Sequence, residues 1–265
     1  MKNKNTALKL TESAMMIALA TVLSFLKLAN LPYGGSITIA SMLPIVIIAV
    51  RYGVPWGLFT GIVHGTLQLI IDPSPLSYFT SPASLAAIII IDYIVAFGVI
   101  GVCGAARKIS NPSTSLCTAA FVAGLLRYVC HVVSGATVWA GLSIPTSAAL
   151  LYSFAYNATY MLPETLVLMC TAYFIASSVD FRSQRLSVAK KGEKKVTLLS
   201  VVAIGVFMAG IIFAVVSVFS KIQNGDTGEF DITGIADVNW ILVSVVCAVS
   251  FAASALLTLI DRKKK

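Results

Sequence analysis

Charge is scarce in this 265-residue chain: 11% of its residues are Asp, Glu, Lys or Arg, and only 11 residues are acidic. With 58% hydrophobic residues and a mean hydropathy of +0.91, a water-soluble globular domain is excluded. Histidine is rarer still, at two copies, and no HExxH pattern or other metal cluster occurs. The five cysteines (Cys103, Cys117, Cys130, Cys170 and Cys247) are odd in number, lie in apolar runs and form no CxxC pair. They read as small packing residues, not as disulfides or metal ligands. No GxxxxGK[ST] segment is present, so the chain carries no P-loop nucleotide site of its own, and no Ser/His/Asp spacing suggests an enzyme. A net charge of +8 would suggest nucleic acid in a soluble protein; here its placement around apolar runs assigns it to membrane topology.

What the chain has in abundance is long apolar runs, and these predict an all-α integral membrane protein. Eight spans are expected: Leu10 to Ala29, Ile37 to Arg51 (short for a span), Pro55 to Ile71, Ala83 to Ala106, Ser115 to Ala140, Ala148 to Ser178, Val196 to Phe219 and Trp240 to Ile260. Barrel strands would be half as long and alternating. The first run follows Lys2, Lys4 and Lys9 as a signal peptide would. It is about twice the length of a typical apolar signal core and has no convincing small-x-small cleavage site, so it reads as a helix that stays.

Orientation follows from the loops. Sixteen of the 19 lysines and arginines fall on one side: before span one, at Arg51, at Arg107 and Lys108, in FRSQRLSVAKKGEKK, and at the C-terminus. The opposite loops carry Asp72, Asp226, Glu229, Asp231 and Asp237. An even number of spans with both termini cytoplasmic satisfies the positive-inside rule.

Several polar residues fall inside the spans, where lipid-facing positions avoid them. Arg127 and His131, in RYVCHVVSGATVW, are four apart and share one helical face. Counted from the external end of each span at about 1.5 Å per residue, His64, Asp92, His131 and Asn157 lie at a common depth of roughly 12–14 Å. Gln68 is one turn above His64, and Tyr93, Tyr152, Tyr156 and Tyr160 add aromatic surface and hydroxyls. Each has a plainer reading: His64 or Asn157 as a hydrogen bond between helices, Asp92 as the counter-charge of Arg127, Glu164 beside Pro163 as a kink filler. Together they suggest one cavity for a planar, partly cationic heteroaromatic ligand. Asp92 and Asn157 would hydrogen-bond it, and Trp139 and the tyrosines would stack on it.

Five blocks in order, LTESAMMIALATVLSF, LPYGGSITIASMLPIVIIAVRYG, DYIVAFGVIGVCGAARK, LLRYVCHVVSGATVW and LYSFAYNATYMLPE, resemble the thiamine-specific substrate-binding (S) components of energy-coupling factor transporters. The resemblance covers residues 8 to about 178. It implies a six-helix bundle that binds thiamine from outside the cell. It also implies docking, through small residues of helix one, onto a separate transmembrane coupling protein that carries two cytosolic ATPases. The chain itself would need no cofactor, since ATP is used by those partner subunits.

The family's binding positions fall on Asp92 and Tyr93 of helix four, on Arg127, His131 and Trp139 of helix five, and on Tyr152 and Asn157 of helix six. Its AxxxA docking motif falls on Ala14 and Ala18. His64 stands where some members have a helix-three Trp, Asp92 where some have Glu, and the first external loop near Gly35 has no Trp. Residues 8–180 are thus expected to form the substrate-binding membrane domain, 181–195 a basic cytoplasmic linker, and 196–261 a two-helix transmembrane extension with no counterpart in the six-helix pattern. An S component for another vitamin or a thiamine pyrimidine precursor, and a stand-alone secondary transporter using Asp92, Arg127 or Glu164 as a proton relay, are the competing readings. Every candidate pocket residue precedes the extension, so its removal is expected to spare binding.

Overall fold

The computed structural model describes residues 2–31, 35–140, 142, 146, 149–183, 187–188, 197–222 and 232–263. Among the described residues, eight helices of ten residues or more follow one another. They are α1 (Lys2–Phe25), α2 (Leu43–Tyr52), α3 (Val54–Ile71), α4 (Pro82–Lys108), α5 (Pro112–Thr137), α6 (Ala149–Ser178), α7 (Leu198–Ile222) and α8 (Trp240–Lys263). All but α2 are long and apolar enough to cross a membrane. The protein is a multi-pass membrane protein.

Local chemistry sets the boundaries. Ser81 opens α4 by accepting the Ser84 amide at 3.1 Å, with Pro82 in the first turn. Asn111 does the same for the Thr114 amide of α5 at 2.9 Å, with Pro112 behind it. Gly53 separates α2 from α3 at φ +90°, a conformation that disfavours a Cβ.

The first two spans differ from their sequence-based bounds. The chain leaves α1 at Phe25, and Lys27–Asn30 becomes strand β1, paired antiparallel with β2 (Ser36–Thr38). The helix of the second span begins at Leu43, not Ile37. An apolar run does not distinguish helix from strand by composition, and the turn residues around Gly35 let the chain fold back as a hairpin instead. The short α2 is buried at every position from Leu43 to Val50, because it fills the centre of the bundle. Beyond α6, a two-residue strand β3 (Val179–Asp180) pairs with β4 (Ser187–Val188). Most of the 181–195 linker lies outside the described residues.

At the basic end of the bundle Arg51 is almost fully buried and pairs with Glu12 at 2.8 Å. Its guanidinium also bonds the Phe181 and Ser183 carbonyls, and the Tyr52 hydroxyl donates to Glu12. Trp56 Nε1 donates to Ser13 Oγ at 2.8 Å. These contacts fix α1 to α2 and α3 by one face. The other face, with Ala14, Met15, Ala18, Leu19 and Val22, remains exposed. On the extension, α7 and α8 form a helical hairpin in which Gly210 admits Ser250 and Thr197 bonds Asp261 across the ends.

Candidate functional site

Asp92 is the organising residue of the site. Its helix, α4, changes character along its length: α-helical to Ile88, π-helical over Ile89–Val95, then 3₁₀ from Val99 to Lys108. A π turn widens the helix and re-aims its side chains, and such turns concentrate at functional sites. From it the Asp92 carboxylate reaches three groups on or just after α5. Oδ1 lies 3.0 Å from His131 Nδ1, and Oδ2 accepts from Ser134 Oγ at 2.7 Å and from Trp139 Nε1 at 3.1 Å. His131 and Ser134 are three apart, so one helical face presents both.

Asn157 of α6 is nearly fully buried and joins the same wall. Its Nδ2 donates to the His131 carbonyl at 3.2 Å and to the Ser153 carbonyl at 2.8 Å, and its Oδ1 accepts from the Tyr160 hydroxyl at 2.6 Å. A second polar group lies between the β1–β2 hairpin and α6, where Thr38 Oγ1 donates to Glu164 Oε1 at 2.8 Å and bonds Ser41 Oγ at 2.7 Å.

These elements enclose a cavity of about 180 Å³. The residues singled out from sequence that line it are His64, Gln68, Asp92, Tyr93, Arg127, His131, Trp139, Tyr156, Asn157, Tyr160 and Glu164. Among the described residues, four buried nitrogens of its lining have no hydrogen-bond partner: both of His64, Nε of Arg127 and Nε2 of His131. A buried unpaired donor or acceptor costs about 1–3 kcal/mol, a cost that a polar group entering the cavity would relieve.

The structure sharpens the sequence reading at three places. It excludes the plainer reading in which Asp92 is the counter-charge of Arg127: the guanidinium lies over the Phe97 ring at 4.3 Å, and among the described residues it makes no ion pair. Trp139 is buried: its indole packs edge-on against Phe79 at 4.8 Å and tilted against Tyr78 at 5.8 Å. Tyr152 is not a lining residue and packs behind Trp139 with the Phe79–Ile88 cluster. Sequence reading did not single out Ser24, Thr38, Ser41, Phe97 or Gly135, which also line the cavity. Small hydroxyls and glycines carry no signal in an apolar run; the one sign that could have found Thr38 and Ser41 was their spacing of three just after the Gly34-Gly35 dipeptide.

Fold and site together define a membrane protein with a polar, aromatic-lined cavity among its helices. A family profile described as thiamine transporter protein (Thia_YuaJ) matches residues 10–184, and the chain belongs to that family. It is similar to the thiamine transporter ThiT of Bacillus subtilis (strain 168), at 34% identity over 191 residues, which is 66% of this chain and 95% of that protein. It is also similar to the solved structure of ThiT from Listeria monocytogenes. That match has a TM-score of 0.53 and 27% identity, and covers 64% of this chain and 94% of the other. The hairpin of α7 and α8 lies beyond the matched family region.

Proposed function

We infer that the chain binds thiamine from outside the cell and is the substrate-specific S component of an ATP-driven importer. The observation that carries this reading is the Asp92 carboxylate, held by His131, Ser134 and Trp139 within the aromatic-lined cavity of a thiamine transporter family member. Thiamine has a permanently charged thiazolium and an aminopyrimidine. A fixed carboxylate balances the first and accepts from the second, and Tyr93, Trp139, Tyr156 and Tyr160 offer ring faces to a flat cation. His131 and Asn157 orient the ligand, Arg127 Nε and one imidazole nitrogen of His64 donate to its acceptors, and the other His64 nitrogen accepts.

Transport energy comes from partner chains in this reading: a transmembrane coupling protein with two cytosolic ATPases. The coupling protein docks on the exposed small-residue face of α1 at Ala14 and Ala18, where two helix backbones can approach closely. Both termini and the basic end face the cytoplasm, and the β1–β2 hairpin faces outside. Calorimetric titration of the purified protein with thiamine, and with a panel of other vitamins and the hydroxymethyl pyrimidine precursor, is the test. Tight 1:1 binding of thiamine alone is the expected result, and selective binding of another compound overturns the assignment.

A further inference from the structure

The α7–α8 hairpin supplies no lining residue among those described, yet it is not detached from the site. Along α7 one stripe is turned to the bundle. Met208 packs on the main core, and Ile211 and Val215, one turn apart, join a second apolar cluster. Their neighbours Ile212 and Val216 are 40% and 56% exposed and face away. Val215 is 17 residues along the helix from Leu198, about 26 Å at 1.5 Å per residue, which places it at the end remote from the basic linker.

The second cluster links α7 to the cavity in two ways. Leu31 and Ile37, from the β1–β2 hairpin, share it with Val215, Tyr160 and Met161, and Tyr156 and Ile211 pack against it. Tyr156 and Tyr160 line the cavity. The hairpin rests directly on both rings, since a Cβ added at Gly35 would lie 3.2 Å from Tyr156 Oη and 3.3 Å from Tyr160 Cδ1. The hairpin side of the cavity and its tyrosine wall are thus two sides of one apolar cluster, and α7 joins that cluster through Ile211 and Val215.

We propose that α7 is a brace for the binding site. Ile211 and Val215 are positioning residues: they hold the β1–β2 strands and the Tyr156–Tyr160 wall together and thereby set the rate at which a bound ligand leaves. Lipid tails would fill the place of α7 without fixing it, whereas packed side chains in a membrane protein give a defined surface to lean on. Contacts that must break for release, but do not meet the incoming ligand, lower the dissociation rate and leave association unchanged. Removal of the extension would then spare the lining residues but shorten ligand residence.

The ligand arm of the test rests on the thiamine reading; the other arm does not. Full-length protein in lipid nanodiscs is compared as wild type, as Ile211→Ala/Val215→Ala, as the milder Val215→Ala, and as the outward-facing control Ile212→Ala/Val216→Ala. Hydrogen exchange of ligand-free protein is followed at the β1 and β2 amides, and thiamine dissociation by chase with excess unlabelled ligand. The brace variants exchange about tenfold faster in β1 and β2 and release thiamine about tenfold faster, with association within about twofold and the control like wild type. Unchanged exchange in both brace variants overturns the proposal, as does faster exchange with an unchanged release rate. A wild type that binds no thiamine defeats the ligand assignment instead, and the exchange arm still decides whether α7 holds the hairpin.

Discussion

Thr38 and Glu164 stand 126 residues apart in the chain, and a 2.8 Å hydrogen bond joins them between the β1–β2 hairpin and the middle of α6. Glu164 is 2% exposed, and Thr38 supplies its hydroxyl donor. Thr38→Val keeps the shape of the side chain and removes that donor. It is expected to destabilise the fold by about 1–3 kcal/mol, the cost of leaving a buried acceptor unmade. Thermal unfolding in detergent checks this, and a Thr38→Ser variant should recover most of the loss.

Asp92→Asn retains the side-chain volume but removes the charge, and it turns one accepting oxygen into an NH₂ that meets a donor. A charge-assisted hydrogen bond is worth about 1.5–3 kcal/mol, so thiamine affinity should fall by at least about one to two decades. Calorimetry reads this directly. Wild-type affinity in the variant would place the ligand elsewhere.

Trp139 contributes a donor and a ring, and the two can be separated. Trp139→Phe keeps the aromatic packing against Phe79 and loses the indole N–H to Asp92, for an expected loss of about tenfold in affinity. Trp139→Ala removes both and should cost more, with quenching of the ligand-dependent fluorescence change as a second readout.

Ala14→Trp and Ala18→Trp fill the exposed small-residue face of α1 without touching the cavity. They should abolish uptake and co-purification with the coupling protein, while thiamine binding by the isolated chain stays within about twofold of wild type, since distant sites act independently. Full ATP-dependent uptake by the double variant would remove α1 from the docking surface.

Ser77 lies in the exposed turn after α3, and Ser110 in the exposed turn between α4 and α5, at opposite ends of the bundle. In intact cells a membrane-impermeant maleimide should label Ser77→Cys and not Ser110→Cys, as the loop charges require. The reverse pattern would invert the topology. The Asn224 loop, expected on the same side as Ser77, lies outside the described residues.

Much of this was legible in the residues because the bilayer makes polarity expensive. Span positions followed from run length, and His64, Asp92, His131 and Asn157 stood out as groups that hydrocarbon does not tolerate singly. Their helices do converge on one cavity. What stayed hidden depends on direction and on backbone geometry. The π turn that aims Asp92 has no compositional mark. The β1–β2 hairpin looks like the edges of two spans, and Glu164 beside Pro163 suggested a kink when its partner was Thr38. The plainer reading of Asp92 as the counter-charge of Arg127 did not allow for Phe97, because a ring can hold a guanidinium as a carboxylate can.

Gly57, Gly61 and Gly65 repeat every fourth residue along α3, and each abuts α4 with no room for a side chain. A Cβ at Gly57 would sit 2.8 Å from the Gly101 Cα, and at Gly61 and Gly65 it would strike the Phe97 and Tyr93 carbonyl oxygens. Two helices fused backbone to backbone cannot slide or part without losing the whole seam at once. They form a rigid plank, and Asp92 is mounted on it. On the proposed reading, any motion that admits or discharges a ligand therefore belongs to parts of the protein joined by side chains, with Asp92 as the fixed point about which they move.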